Sequence, residues 1–134
     1  MIVSRVAEAV LDTSAIMAMI LEESGADVAV QFADGAAVSA NIIAEVATKL
    51  FERGMIPDDV ERDISQFGFV VHSVDEAMAI AIGALRPLTK SAGLSLGDRS
   101  CLALAAKLGL PAITADKTWA TIADAIGVEV RLIR

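Results

Sequence analysis

No two of the short apolar runs in this chain lie close enough together to be joined by a hairpin. Val6–Leu11, Ala36–Ser39, Phe67–His72, Pro111–Thr114 and Val128–Leu132 read as strands, and helical patterns separate each from the next. Strands separated in this way need crossover connections, so they pair in parallel, and a mostly parallel sheet is covered by helices on both faces. The 134 residues suit one domain with a substantial core, and no repeat, linker or low-complexity tract interrupts them. The expected organisation is one α/β domain over 1–134.

The helical segments carry their own start and stop signals. One runs to about Glu23 with Ser14 as its cap, and a second covers Ala26–Ala33. Asn41–Arg53 places Ile42, Ile43, Val46, Ala47, Leu50 and Phe51 on one stripe at helical spacing. Pro57 opens an acidic helix to about Gln66, and Asp75 caps one to about Leu85. Ser95–Leu108 is closed by Gly109, and Lys117–Ile126 is stopped by Gly127. Arg86–Gly93, with its proline and glycine, reads as a loop.

Composition narrows the classes. Hydrophobic residues make up 55% and charged residues 22%, which excludes disorder. The longest apolar runs, Ala15–Leu21 and Ala77–Leu85, stop well short of the roughly 20 residues of a membrane span. Arg5 and Glu8 inside the first apolar stretch argue against a signal peptide. Cys101 is the single cysteine and suits a reducing compartment, so the expected location is cytoplasmic. The net charge is −7, the wrong sign for a protein that grips nucleic acid mainly through phosphates. Any nucleic-acid function has to account for that acidic excess.

Part of the excess falls at special places. Asp12 directly follows the first strand, in VLDTSA, and Asp116 follows the fourth, in AITADKTWA. Asp98 sits in the first turn of the helix leading into the fourth strand, and Glu45 early in the helix after the second. Open parallel sheets bind ligands outside the C-terminal ends of their strands. Carboxylates gathered there repel one another, and should raise one another's pKa, unless a cation joins them. A hard divalent ion such as Mg²⁺ or Mn²⁺ matches an all-oxygen set, while His72 and Cys101 alone give no zinc ligand set. Each acid also has a purely structural use. Asp12-Thr13-Ser14 makes a turn and cap, Ser95 to Asp98 a capping box, Asp116 a cap, and Glu45 a surface pair with Lys49. Spacing leaves both readings open. Cys101 and Trp119 read as packing residues, and His72 has no serine or cysteine placed to form a triad.

With those residues in place, the chain resembles a PIN domain, and within that family the VapC-type ribonuclease toxins of toxin–antitoxin pairs. The matching segments are VLDTSAIMAMILEE, VSANIIAEVATKL, LSLGDRSCLALAAKLGLPAITADKTWA and the closing VEVRLI. They occur in family order and cover nearly the whole chain. LDTSA alone is weak, whereas LSLGDRSCLALA followed by ITAD at this distance is specific. The resemblance implies a three-layer α/β/α fold around a mostly parallel sheet. It implies a Mg²⁺- or Mn²⁺-dependent endoribonuclease that hydrolyses RNA phosphodiester bonds without a histidine base. By position, Asp12 and Asp98 would be the principal metal ligands, with Asp116 and Glu45 completing the acidic pocket directly or through water. Ser14 and Thr114 would orient the site. Arg99 and Lys117, each beside a site aspartate, are candidate phosphate contacts, with solvated surface charge as their plain alternative. The implied partners are RNA, a small VapB-like antitoxin and a second copy of the chain, with no membrane. The nine residues ahead of Val10 are longer than the pattern requires, which leaves the start of the first strand open.

Other carboxylate-bearing folds fail on residues. A receiver domain needs an acidic pair at the first strand and an aspartate after the third, where this chain has Val71-His72-Ser73. A haloacid-type phosphatase needs Asp-x-Asp where this chain has Asp12-Thr13-Ser14. The competing function is a PIN-fold protein that holds RNA or an antitoxin without cutting.

Overall fold

The computed structural model describes residues 6–134. In chain order it contains β1 (Val10–Leu11), α1 (Thr13–Leu21), α2 (Ala26–Ala29), β2 (Ala37–Ser39), α3 (Ala40–Glu52) and α4 (Pro57–Ser65). There follow β3 (Val70–His72), α5 (Glu76–Ala84), α6 (Arg86–Thr89), α7 (Leu96–Leu108), β4 (Ala112–Thr114), α8 (Ala123–Ile126) and β5 (Val130–Leu132). Single 3₁₀ segments, Val30–Phe32 and Lys117–Thr121, follow α2 and precede α8.

The five strands form one sheet in the order β3-β2-β1-β4-β5, and every pairing is parallel. Starting at the centre, the chain walks outward through β2 to β3, then returns to lay β4 on the other side of β1. Strand order therefore reverses between β1 and β4. Right-handed crossovers put α1–α4 on one face and α5–α8 on the other. The packing agrees: α1 lies on α2 and α3, α3 on β2 and β3, and α7 on α5, β1, β2 and β4. This is the three-layer α/β/α fold.

The three central strands are buried along their whole length, as continuous apolar strands of a doubly covered sheet must be. Trp119, Leu11, Ile16, Ile42, Leu50, Ile82, Leu94, Leu102 and Ile113 are the large side chains of the core, and each leucine or isoleucine contributes about 1.5–3 kcal/mol by burial. Cys101 is also fully buried. The edge is different: Val70 and Val71 of β3 are half exposed.

Several sequence-based bounds shift. The first strand begins at Val10, not Val6, because Val6 projects beyond the sheet and is 85% exposed. The third begins at Val70 and not Phe67. Arg86–Gly93 is not all loop, since Arg86–Thr89 forms α6 with Pro87 in its first turn and the Thr89 hydroxyl donating to Leu85 O at 2.9 Å. The expected helix over Lys117–Ile126 is divided at Ile122 into the 3₁₀ segment and α8. Ser14 is not the cap of the first helix: Asp12 holds the N-cap position and Ser14 lies inside α1. No helix among the described residues is long and apolar enough to cross a membrane.

Candidate active site

Asp12 is placed by β1. Its backbone N–H donates to Ile113 O across the sheet at 3.0 Å, which pins the residue at the point where strand order reverses. The side chain is 3% exposed and does not cap α1. Instead Oδ2 accepts two hydroxyls, from Thr114 Oγ1 at 2.7 Å and Ser14 Oγ at 2.8 Å. Each hydroxyl has only one proton, so the 3.2 Å contact between Ser14 and Thr114 carries no bond while both donate to Asp12. Their lone pairs are used as well: Ala115 N donates to Ser14 Oγ at 2.9 Å and Asp116 N to Thr114 Oγ1 at 3.0 Å. The network ties α1 to the end of β4 and leaves Asp12 little rotational freedom.

Burial pushes the Asp12 carboxyl from its ordinary 3.8 up to about 6, against the pull of the Thr114 and Ser14 hydrogen bonds. The Asp98 charge adds to the rise, and the Thr13 backbone amide opposes it. The Asp98 charge thus acts on Asp12 in the expected direction, but more weakly than desolvation and than either hydroxyl hydrogen bond. Behind the carboxylates, burial raises the Cys101 thiol well above its ordinary value, with the Asp12 and Asp98 charges adding to it. Such a thiol does not serve as a nucleophile.

Asp98 reaches the site from α7. It forms a complete capping box with Ser95: Ser95 N donates to Asp98 Oδ2 at 2.9 Å and Asp98 N to Ser95 Oγ at 3.2 Å. Asp116 accepts from Thr118 N at 2.9 Å and Thr118 Oγ1 at 2.7 Å, both on Oδ1. Both capping readings thus hold, yet Asp98 Oδ1 and Asp116 Oδ2 have no protein donor among the described residues. Glu45 makes no ion pair with Lys49. It turns to the start of α7, where a Cβ on Gly97 would collide with its carboxylate. The absence of a side chain at Gly97 is what admits Glu45 beside Asp98. A hydrogen bond from Asn41 Nδ2 to Ser100 Oγ, at 3.0 Å, locks α3 to α7 just below.

Asp12, Ser14, Glu45, Asp98 and Asp116 all line one cavity of about 610 Å³, together with Thr13, Met17, Leu21, Glu23, Lys49, Glu52 and Arg53. Thr114 stands under its floor, fully buried. The Thr13 hydroxyl is buried without a partner, a further oxygen beside Asp12. Arg99 does not join them: its Nη1 donates to Ile82 O at 3.2 Å, toward α5. Neither it nor Lys117 is on the cavity wall. The cations that are on it, Lys49 and Arg53, are not among the site residues expected from the sequence. Lys49 lies one turn beyond Glu45 on the same helical face, so the i,i+4 spacing carried the signal.

A sequence profile of the PIN domain family matches residues 9–125. A comparison with curated protein sequences gives no match. Among solved structures, the chain is similar to one in a toxin–antitoxin complex from Klebsiella pneumoniae, at 22% identity and TM-score 0.71, over 94% of this chain and 98% of that one. It is similar to a chain of DNA-bound VapBC from Salmonella typhimurium, at 17% identity and TM-score 0.72, over 95% and 98%. VapC20 of Mycobacterium tuberculosis, described as a sarcin-ricin loop cleaving toxin, matches at 17% identity and TM-score 0.68, over 84% and 94%. At these identities the likeness is one of fold. The family match spans both strand-end aspartates, Asp98 and Glu45, and the chain belongs to the PIN domain family.

Proposed function

We propose that this chain is a single PIN domain acting as a metal-dependent endoribonuclease, the toxin of a VapBC-type pair, which hydrolyses RNA phosphodiester bonds. The observation that carries the reading is Asp12: a buried carboxylate with two hydroxyls on one oxygen, at the sheet's switch point, facing a cavity shared with Glu45, Asp98 and Asp116. The toxin–antitoxin complexes among its structural neighbours support the assignment to such a pair.

The donor set fits a hydrated hard cation. Among the described residues no three Asp, Glu, His or Cys side chains close into a cage around one point. Mg²⁺ needs no such cage, because it keeps several waters and binds proteins through one or two carboxylates. Asp12, Asp98 and Asp116 would hold Mg²⁺ or Mn²⁺, with Glu45 reaching it directly or through water. When bound, the cation supplies activation of water and offsets charge on the phosphate under attack. The chain's own part is to position: Ser14 and Thr114 fix Asp12, Gly97 admits Glu45, and the capping interactions hold Asp98 and Asp116.

A second copy of the chain and a small VapB-like antitoxin are the proposed partners, and the cytoplasm the proposed location. Ile80 of α5, Leu88 of α6 and Leu96 of α7 are exposed apolar side chains that a dimer would cover. A basic side chain from the antitoxin would neutralise the acidic cavity as a cation does. The alternative, a binding protein that does not cut, draws on the capping roles of Asp98 and Asp116. Cleavage of single-stranded RNA by the purified protein in Mg²⁺, abolished by chelator, is the expected result. RNA binding with no cut strand in either Mg²⁺ or Mn²⁺ would favour the alternative.

A further inference from the structure

Six carboxylates line the cavity, and only Lys49 and Arg53 oppose them. An acid-lined pocket repels a polyanion, so a substrate strand must gain favourable contacts close by. Both cations are exposed and neither forms an ion pair among the described residues, although Glu45 and Glu52 lie on the same wall. Lys49 follows Glu45 by one turn of α3, about 6 Å along the helix axis, and Arg53, four residues on, is the C-cap residue of the same helix. One helix face therefore runs from the acids to two unspent positive charges. The basic residues beside the site aspartates cannot do this, since Arg99 is turned to Ile82 O and Lys117 lies off the wall.

Resting on the ribonuclease reading above, we propose that Lys49 and Arg53 bind substrate phosphates on one side of the scissile bond. They lay the RNA strand along α3 from Glu45 toward the helix C-terminus. The chemistry recognised is a run of phosphodiesters on a single strand, not base identity.

The test uses the full chain as wild type, Lys49→Ala, Arg53→Ala and Lys49→Arg, with a labelled single-stranded RNA oligonucleotide in Mg²⁺ at graded salt. Cleavage rates and fluorescence anisotropy are recorded on the same samples. Each alanine variant is expected to raise KM roughly tenfold, the scale of one charged contact, with kcat retained. Its salt dependence should flatten by about 0.7 in log–log slope, one phosphate contact on a single strand. Lys49→Arg should restore most of the loss. Wild-type KM and slope in both alanine variants would overturn the proposal while leaving the ribonuclease reading intact. A melting temperature that falls at unchanged KM would overturn it too, by assigning the cations to the dipole at the end of α3. Should wild type cut no RNA, the ribonuclease reading fails, and the anisotropy slopes alone decide whether Lys49 and Arg53 hold phosphates.

Discussion

Asp12 and Asp98 face the same cavity, but the fold uses them in opposite ways. Asp98 is useful to its helix, closing a capping box and placing a negative charge in the first turn of α7. Asp12 occupies an N-cap position and does no capping. It is buried, its carboxyl is pushed to about 6, and its ionised form costs stability at neutral pH. A structural purpose explains Asp98 without any site. No cap explains Asp12, whose buried Oδ2 takes the protons of both the Ser14 and the Thr114 hydroxyl. The functional claim therefore rests most heavily on the residue the fold benefits from least.

The sharpest way to break this contrast is to remove the Asp12 charge. Asp12→Asn keeps size and an acceptor oxygen, and should lower RNA cleavage by more than the roughly 10–100-fold that losing an outer-sphere partner costs. Near wild-type turnover in Mg²⁺ would end the assignment. Thr114→Val comes next. It removes the 2.7 Å bond to Asp12 and the acceptor for Asp116 N, so activity should fall about 10–100-fold. The Asp12 titration, followed by carbon-13 NMR of its carboxyl, should move further upward. A titration that stays in place would show that Thr114 does not govern Asp12.

Gly97→Ala probes the other wall. The new Cβ displaces the Glu45 carboxylate, the mobile end of a side chain, so the fold should be nearly unaffected. Activity should drop by roughly tenfold, the scale of one misplaced outer group. Equal loss of melting temperature and activity would mean that Gly97 serves packing alone. The smallest expected effect is on the capping side of the comparison. Ser95→Ala breaks one half of the capping box and should cost about 1 kcal/mol in denaturant melts, while KM and kcat hold. The bond from Ser95 N to Asp98 Oδ2 survives the substitution, so a large fall in kcat would show that the Ser95 hydroxyl, and not that N–H alone, sets the position of Asp98.

Much of this is legible in the chain because the relevant signals are local. Apolar runs separated by helical spacing dictate a parallel sheet, and a parallel sheet dictates where Asp12 and Asp116 have to lie. Strand bounds are less legible. Val6 is apolar enough for a strand, but pairing needs a neighbour, and only from Ala9 on does the first segment meet β2. The 3₁₀ segment around the buried Trp119 answers to tertiary packing rather than helical periodicity. Arg99 shows how adjacency in sequence misleads. Residues adjacent in a helix point about 100° apart, so standing next to Asp98 turns it away from the cavity. Lys49, four residues from Glu45, is on the right face, yet the same spacing reads equally well as a surface pair.

The role of Asp12 as a cation-binding carboxylate can be read from the pH dependence of stability in wild type and Asp12→Asn, with and without Mg²⁺. A carboxyl raised from 3.8 to about 6 binds more protons folded than unfolded. Its favourable contribution is complete below the ordinary value and is lost as pH rises through about 6. At pH 7 in chelator the ionised Asp12 should therefore cost wild type roughly 3 kcal/mol at most, by the size of that shift. Asp12→Asn should melt higher there, lose its advantage toward pH 4, and gain less from Mg²⁺ than wild type does. A variant that melts no higher than wild type at pH 7 in chelator, with the same response to magnesium, would show that Asp12 neither strains the fold nor holds the cation.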